Sequence, residues 1–164
     1  MRNQAAKLKK KLHNAQRVAV LGVGSELRGD DVAGLLVAQQ IGKTIAEQNT
    51  SSEVRVFIGE TAPENLTGEI KKFQPTHLII IDAAELNKKP GHIEIMEPET
   101  IGGTSFCTHS LPLKIVIGYL LESFKFQAII IGIQPKTLTF GAQPTKEVVA
   151  AAKHLAKTIT KLLK

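Results

Sequence analysis

The chain has 164 residues, 43% of them hydrophobic and 22% charged, with a formal net charge of +6. That length gives one domain with room for a proper core, the composition is that of a globular protein, and no apolar run is long enough to span a bilayer. The single cysteine, Cys107, excludes an intrachain disulfide and a multi-cysteine zinc site.

Residues 1–16 form a polar, basic extension carrying Lys7, Lys9, Lys10 and Lys11. It lacks the apolar core and small-residue cleavage site of a secretion signal. A solvated helix is the expectation there, with residues 17–164 as a single domain, and a cytoplasmic location follows. Lys153, Lys157, Lys161 and Lys164 recur at helical spacing and read as the solvated face of a terminal helix. Neither basic cluster contains an aromatic residue, so platforms for stacking bases are absent and no nucleic-acid partner is expected.

From there strands and helices alternate. Arg17 to Val23 reads as a first strand, and residues 32–47 as a helix with Val32, Leu35, Leu36, Ile41 and Ile45 on its apolar side. Residues 54–58 form a second strand. Pro63 opens a helix to about Phe73, and Thr61 with Glu64 three residues on fits an N-cap with a capping box. Residues 76–83 contain Leu78-Ile79-Ile80-Ile81-Asp82, a continuous apolar run expected of a strand buried on both faces. His92 to Met96 alternates like an edge strand. Residues 111–123 read as a helix with Pro112 in its first turn, residues 128–133 as the last buried strand, and residues 145–163 as a long amphipathic helix. The expected architecture is a three-layer α/β/α sandwich around a mostly parallel, twisted, five-stranded sheet.

The loop after the first strand, Gly22-Val23-Gly24-Ser25-Glu26-Leu27-Arg28-Gly29-Asp30-Asp31, carries the most information. It begins like a dinucleotide fingerprint, but the third glycine is replaced by Leu27, so a close helix–strand approach lacks its glycine. Two carboxylates at the following helix start would also repel a pyrophosphate. One of them is explained as an N-cap, not both. A loop ending this way suits a cation. Asp82 ends its strand at the same carboxyl edge; if the first and third strands are neighbours, Asp31 and Asp82 face one crevice. Of the five histidines only His109, in the loop Thr104 to Pro112, can reach that edge. Asp31 and His109 are expected on surface loops. Two carboxylates and an imidazole form an N/O ligand set for nickel, zinc or iron, or serve as acid and base without metal; spacing does not choose between these. Cys107 invites a thiol mechanism, but a two-residue separation from His109 does not establish contact.

These residues resemble those of the nickel–iron hydrogenase maturation endopeptidases, the hydrogenase 3 type above all. The resemblance lies in the Gly22–Asp31 run, Ala62-Pro63-Glu64-Asn65, Ile81-Asp82-Ala83, Thr108-His109-Ser110-Leu111-Pro112-Leu113 and Gly132-Ile133-Gln134-Pro135, in order across residues 17–160. It implies an α/β fold and cleavage of a C-terminal extension from the hydrogenase large-subunit precursor after nickel insertion. It also implies metal recognition at Asp31, Asp82 and His109, with nickel carried by the substrate, and leaves Asp30 less tied to the metal. The family often carries Asp-Gly-Gly where this chain has Ile58-Gly59-Glu60, so a supporting carboxylate is missing at Ile58. A nickel-docking chaperone and a non-proteolytic small-molecule-binding module are the competing readings. The first would be expected to hold metal tightly by itself, and the two carboxylates count against the second.

Overall fold

The computed structural model describes residues 2–97 and 110–164. A helix, α1 (Arg2–Lys11), precedes β1 (Arg17–Val23); a 3-10 turn (Gly29–Val32) then leads into α2 (Ala33–Glu47). β2 (Glu53–Glu60), a second 3-10 turn (Pro63–Leu66) and α3 (Thr67–Phe73) follow, then β3 (His77–Ala83) and β4 (Ile93–Met96). α4 (Ser110–Ser123), β5 (Gln127–Ile133) and α5 (Lys146–Leu162) complete the chain. The strands lie in the order β2-β1-β3-β5-β4. All pairs are parallel except β4 with β5. This is the expected mostly parallel five-stranded sheet with helices on both faces. Among the described residues no helix is long and apolar enough to cross a membrane.

The interior strands are apolar on both sides because both sides are covered. Val18, Val20, Ile79, Ile81, Ile129 and Ile131 pack with residues of α2 and α5. Ala19, Leu21, Leu78, Ile80 and Ile130 pack with residues of α3 and α4. α2 sits close against the sheet. A Cβ on Gly22 would lie 2.6 Å from the Gly34 carbonyl oxygen, and one on Gly34 would overlap the carbonyl oxygens of Val23 and Ile81. The close approach expected to fail at Leu27 is therefore made by Gly34, on the helix side of the contact.

Two local expectations change. Thr61 does not cap a helix at Pro63: the segment divides into a 3-10 turn preceded by Ala62, with no side-chain cap, and then α3. The N-terminal helix is not simply solvated either. Leu8 and Leu12 are buried against the core that holds Ile93, Ile95 and Leu155. Gln4 Oε1 accepts the Ile95 N–H at 3.1 Å and Lys7 Nζ donates to the Ile95 carbonyl at 2.9 Å. Backbone groups on the outer strand are thus satisfied, which removes a template for edge-to-edge pairing.

At the amino edge, His77 begins β3 and is 6% exposed, with Nδ1 3.0 Å from Thr76 Oγ1. Burial holds its pKa below the usual 6.5, offset in part by hydrogen bonding of the ring to the Gln127 side chain and the Lys11 backbone, which favours the protonated form. The unfolded chain therefore takes up this proton at higher pH than the folded one. The stability contribution is complete above pH 6.5 and is lost as pH falls toward the depressed folded value. The melting temperature of the wild type should drop between pH 7.5 and 5.5 by more than that of His77→Gln. Parallel pH profiles for the two would remove His77 from the account.

Candidate active site

The direction of the sheet connections reverses between β1 and β3: β1 leads to β2 on one side, and β3 lies on the other. In open α/β sheets ligands bind outside the carboxyl ends of strands at such a point. Both carboxylates singled out from the sequence are there. Gly22 of β1 is in register with Ile81 of β3, one residue before Asp82. The Gly29–Val32 turn that carries Asp31 is in contact with β3.

The loop leading to that turn is shaped by glycines. Gly24 has φ +143°, and a side chain there would overlap the Asp31 carbonyl oxygen. Its N–H donates to the Glu60 carbonyl at 2.9 Å, and the Ser25 N–H donates to the Asp31 carbonyl at 3.3 Å. The chain therefore curls back on itself between residues 24 and 31. Gly29 has φ +55°, and a Cβ there would approach the Thr137 carbonyl oxygen to 2.8 Å. Here the loop after β1 meets the loop after β5.

Asp30 and Asp31 are both fully buried, so Asp31 is not on the exposed surface loop that the sequence suggests. Neither caps its own helix: the residue before the 3-10 turn is Arg28, the residue before α2 is Val32, and neither position shows a side-chain cap. Asp30 reaches across to the other loop. Its Oδ2 accepts the N–H groups of Lys136 at 2.8 Å and Thr137 at 3.2 Å. Its Oδ1 accepts the N–H of Thr145 at 2.6 Å, and the Thr145 hydroxyl lies 3.0 Å from both oxygens. The Asp30 N–H in turn donates to the Thr137 carbonyl at 2.9 Å. Asp30 thus ties the loop after β1 to residues 136–137 and to the N-terminus of α5. Sequence reasoning missed this role. The available signal was the doubled carboxylate, of which one cap could use only half.

Asp82 is fully buried in β3, with Oδ1 accepting the Ala83 N–H at 2.7 Å. Alternation along the strand puts it on the face of Leu78 and Ile80, the face covered by α4. That helix begins at Ser110, the residue after His109. His109 itself, with Cys107 and the rest of its loop, lies outside the described residues. Among the described residues no group of three histidines, cysteines or carboxylates is placed to hold a metal ion.

Beside this edge lies an open cleft of about 260 Å³ lined by Gly24, Ser25, Glu26, Leu27, Leu35, Glu60 and Thr61. It exists because β2 bulges. Gly22 pairs with Ile58 but Val23 pairs with Glu60, leaving Gly59 as the extra residue. Glu60 then adopts φ +46° and lines the cleft. Bulges of this kind bend a strand and re-aim its side chains. Ile58, at the position where the resembled family often has aspartate, is 38% exposed on β2.

Known proteins share this fold and much of this sequence. The family model described as HycI, hydrogenase maturation protease, matches residues 37–162. The chain is 34% identical over 134 residues to the hydrogenase 3 maturation protease of Escherichia coli K12, covering 79% of this chain and 82% of that protein. The crystal structure of a NiFe hydrogenase maturation protease HycI from Thermococcus kodakarensis superposes with a TM-score of 0.84 at 29% identity, covering 96% of this chain and 98% of that one. The solution structure of the endopeptidase HycI from Escherichia coli gives a TM-score of 0.72 at 32% identity, covering 87% of each chain. The chain belongs to the family of hydrogenase maturation proteases, and it is an endopeptidase.

Proposed function

We propose that this endopeptidase removes the C-terminal extension of a nickel–iron hydrogenase large-subunit precursor once nickel is in place. In this reading Asp31, Asp82 and His109 recognise nickel carried by that precursor. The observation that carries it is the pair of buried carboxylates, Asp31 and Asp82, at the carboxyl edge of neighbouring strands where the sheet connections reverse. Asp30 is taken up by the opposite loop, and Asp31 and Asp82 lie at the edge where open α/β sheets bind their ligands. Carboxylate and imidazole form a donor set for a borderline divalent ion, without the thiolates that would hold it tightly. The free enzyme then binds nickel weakly, and the precursor's own ligands complete the coordination. In this reading the enzyme works in the cytoplasm.

Nickel in this scheme gates the reaction, because it contributes affinity only when the precursor is loaded. Each tenfold of discrimination needs about 1.4 kcal/mol, which one metal–ligand contact supplies. Matched precursor with and without nickel, at equal concentration, should be cleaved at rates differing by at least about tenfold. Mass spectrometry of the large subunit reads the result directly. Equal rates would leave the protease and remove nickel as its recognition element. Tight stoichiometric nickel binding by the free enzyme in calorimetry would argue for a carrier function instead.

A further inference from the structure

The loops that frame the carboxyl edge carry two apolar side chains that the fold does not use. Leu27 is 61% exposed and Phe140 is 75% exposed, the highest value for a large hydrophobic side chain among the described residues. Isolated exposed apolar residues need no explanation. These two are not isolated. The Gly141 N–H donates to the Leu27 carbonyl at 2.8 Å, so the backbone next to Phe140 is bonded to Leu27 itself.

Both side chains stand on backbone that is held in place. The Leu27 N–H donates to Ser25 Oγ at 3.2 Å. The turn around Phe140 is closed by the Ala142 N–H to Thr139 carbonyl bond at 3.1 Å. Thr137 Oγ1 lies 3.0 Å from Thr139 Oγ1. Beneath them, Asp30 and Gly29 clamp the two loops together through Lys136, Thr137 and Thr145. Apolar side chains presented on rigid backbone lose little conformational freedom on docking, the property that makes a few residues dominate a binding surface.

We infer that Leu27 and Phe140 form an apolar clamp for one large apolar side chain in the extended segment of the precursor that crosses the carboxyl edge. The inference rests on the endopeptidase reading of that edge and names a specificity contact for it. The shape of the surroundings selects this occupant. Leu27 is also a wall of the 260 Å³ cleft, together with Leu35 and the polar residues Ser25, Glu60 and Thr61. A concave lining that mixes apolar side chains with polar groups suits an extended peptide, whose side chain meets the apolar residues while its backbone meets the polar ones. A second copy of the chain would instead need a broad face burying on the order of 1,000 Å² or more.

The test is steady-state cleavage of nickel-loaded precursor by Leu27→Ser, Phe140→Ser and the double variant, with melting curves to verify folding. Burying a side chain of this size is worth enough that the double variant should raise KM roughly tenfold or more, with kcat retained. Leu27→Met and Phe140→Leu should bring KM back toward the wild-type value. In a second arm, each large apolar residue of the precursor's extension and of the segment before the cleaved bond is changed to serine in turn. One of these changes should raise KM for the wild-type enzyme but not for the double variant, the non-additivity expected of a direct contact. Unchanged KM in the double variant, or additive effects for every precursor change, would overturn the clamp. Failure of the wild-type enzyme to cleave the precursor at all would overturn the substrate assignment itself, so the two failures are distinguishable.

Discussion

Asp31→Asn should abolish cleavage of nickel-loaded precursor in a chain that still folds, and Asp82→Asn and His109→Ala should do the same. The aspartate-to-asparagine change keeps the shape and one carbonyl oxygen and removes the negative charge. At a position that only caps a turn, that is a small loss. At a position that meets a divalent ion it replaces an anionic ligand by a weak neutral one. Losing a partner behind a metal ligand already costs about 10–100-fold, so loss of a ligand should cost at least about a hundredfold. Asp82 is the informative case, because its Oδ1 accepts the buried Ala83 N–H at 2.7 Å. Asparagine can keep that bond through its carbonyl oxygen, so the variant should fold and fail to process. The readout is the mass of the large subunit after incubation, at a temperature where melting curves show each variant folded. Cys107→Ser is the control and should cleave at near the wild-type rate. A dead Cys107→Ser enzyme would move the chemistry to the thiol, and normal cleavage by Asp31→Asn would detach that carboxylate from the reaction.

What was legible in the sequence was whatever short-range pattern encodes. Four apolar residues followed by a carboxylate, Leu78 to Asp82, describe a strand buried on both faces that delivers an acid to its carboxyl end, and β3 does so. Gly22 to Asp31 describes a strand, a tight loop and a helix, and that order holds. The adjacency of β1 and β3 had to be supposed, since register between strands is set by tertiary packing that local periodicity does not contain.

The failures have the same origin. Leu8 and Leu12 are hidden among lysines, and nothing local reveals that Ile93 and Ile95, far along the chain, cover them. The lysines around them then turn outward or reach Glu97, as Lys7 and Lys11 do at 3.0 and 2.8 Å. Leu27 at the third-glycine position suggested a looser helix–strand contact, yet Gly34 restores it from the other side. Thr61 had the spacing of a capping box, but Pro63 starts a 3-10 turn rather than the helix. The two adjacent aspartates were the hardest case. The sequence places both at one helix start, whereas Asp31 is buried in the turn against β3 and its neighbour is committed to a loop more than 100 residues away.

That division of labour gives the second large effect. Asp30→Asn should destabilise the folded chain by about 2–4 kcal/mol, because a buried donor deprived of its acceptor costs about 1–3 kcal/mol. The native carboxylate offers two acceptor oxygens, one to Lys136 and Thr137 and the other to Thr145. Asparagine offers one. Whichever way its amide turns, an NH₂ group is pressed against at least one part-buried backbone N–H, and the loop after β5 or the start of α5 must move away. The expected melting temperature is lower than that of the wild-type chain. The activity readouts should also differ. Asp30→Asn, assayed where it is folded, should keep measurable cleavage but with a raised KM, since Leu27 and Phe140 stand on the loops that Asp30 holds together. Asp31→Asn should lose turnover altogether. Denaturant unfolding of Asp30→Asn beside the wild type tests the structural role. Equal stability would show that the loop network tolerates the loss of its carboxylate, and the tie between the two loops would have to reside in Gly29 and the Gly141–Leu27 bond instead.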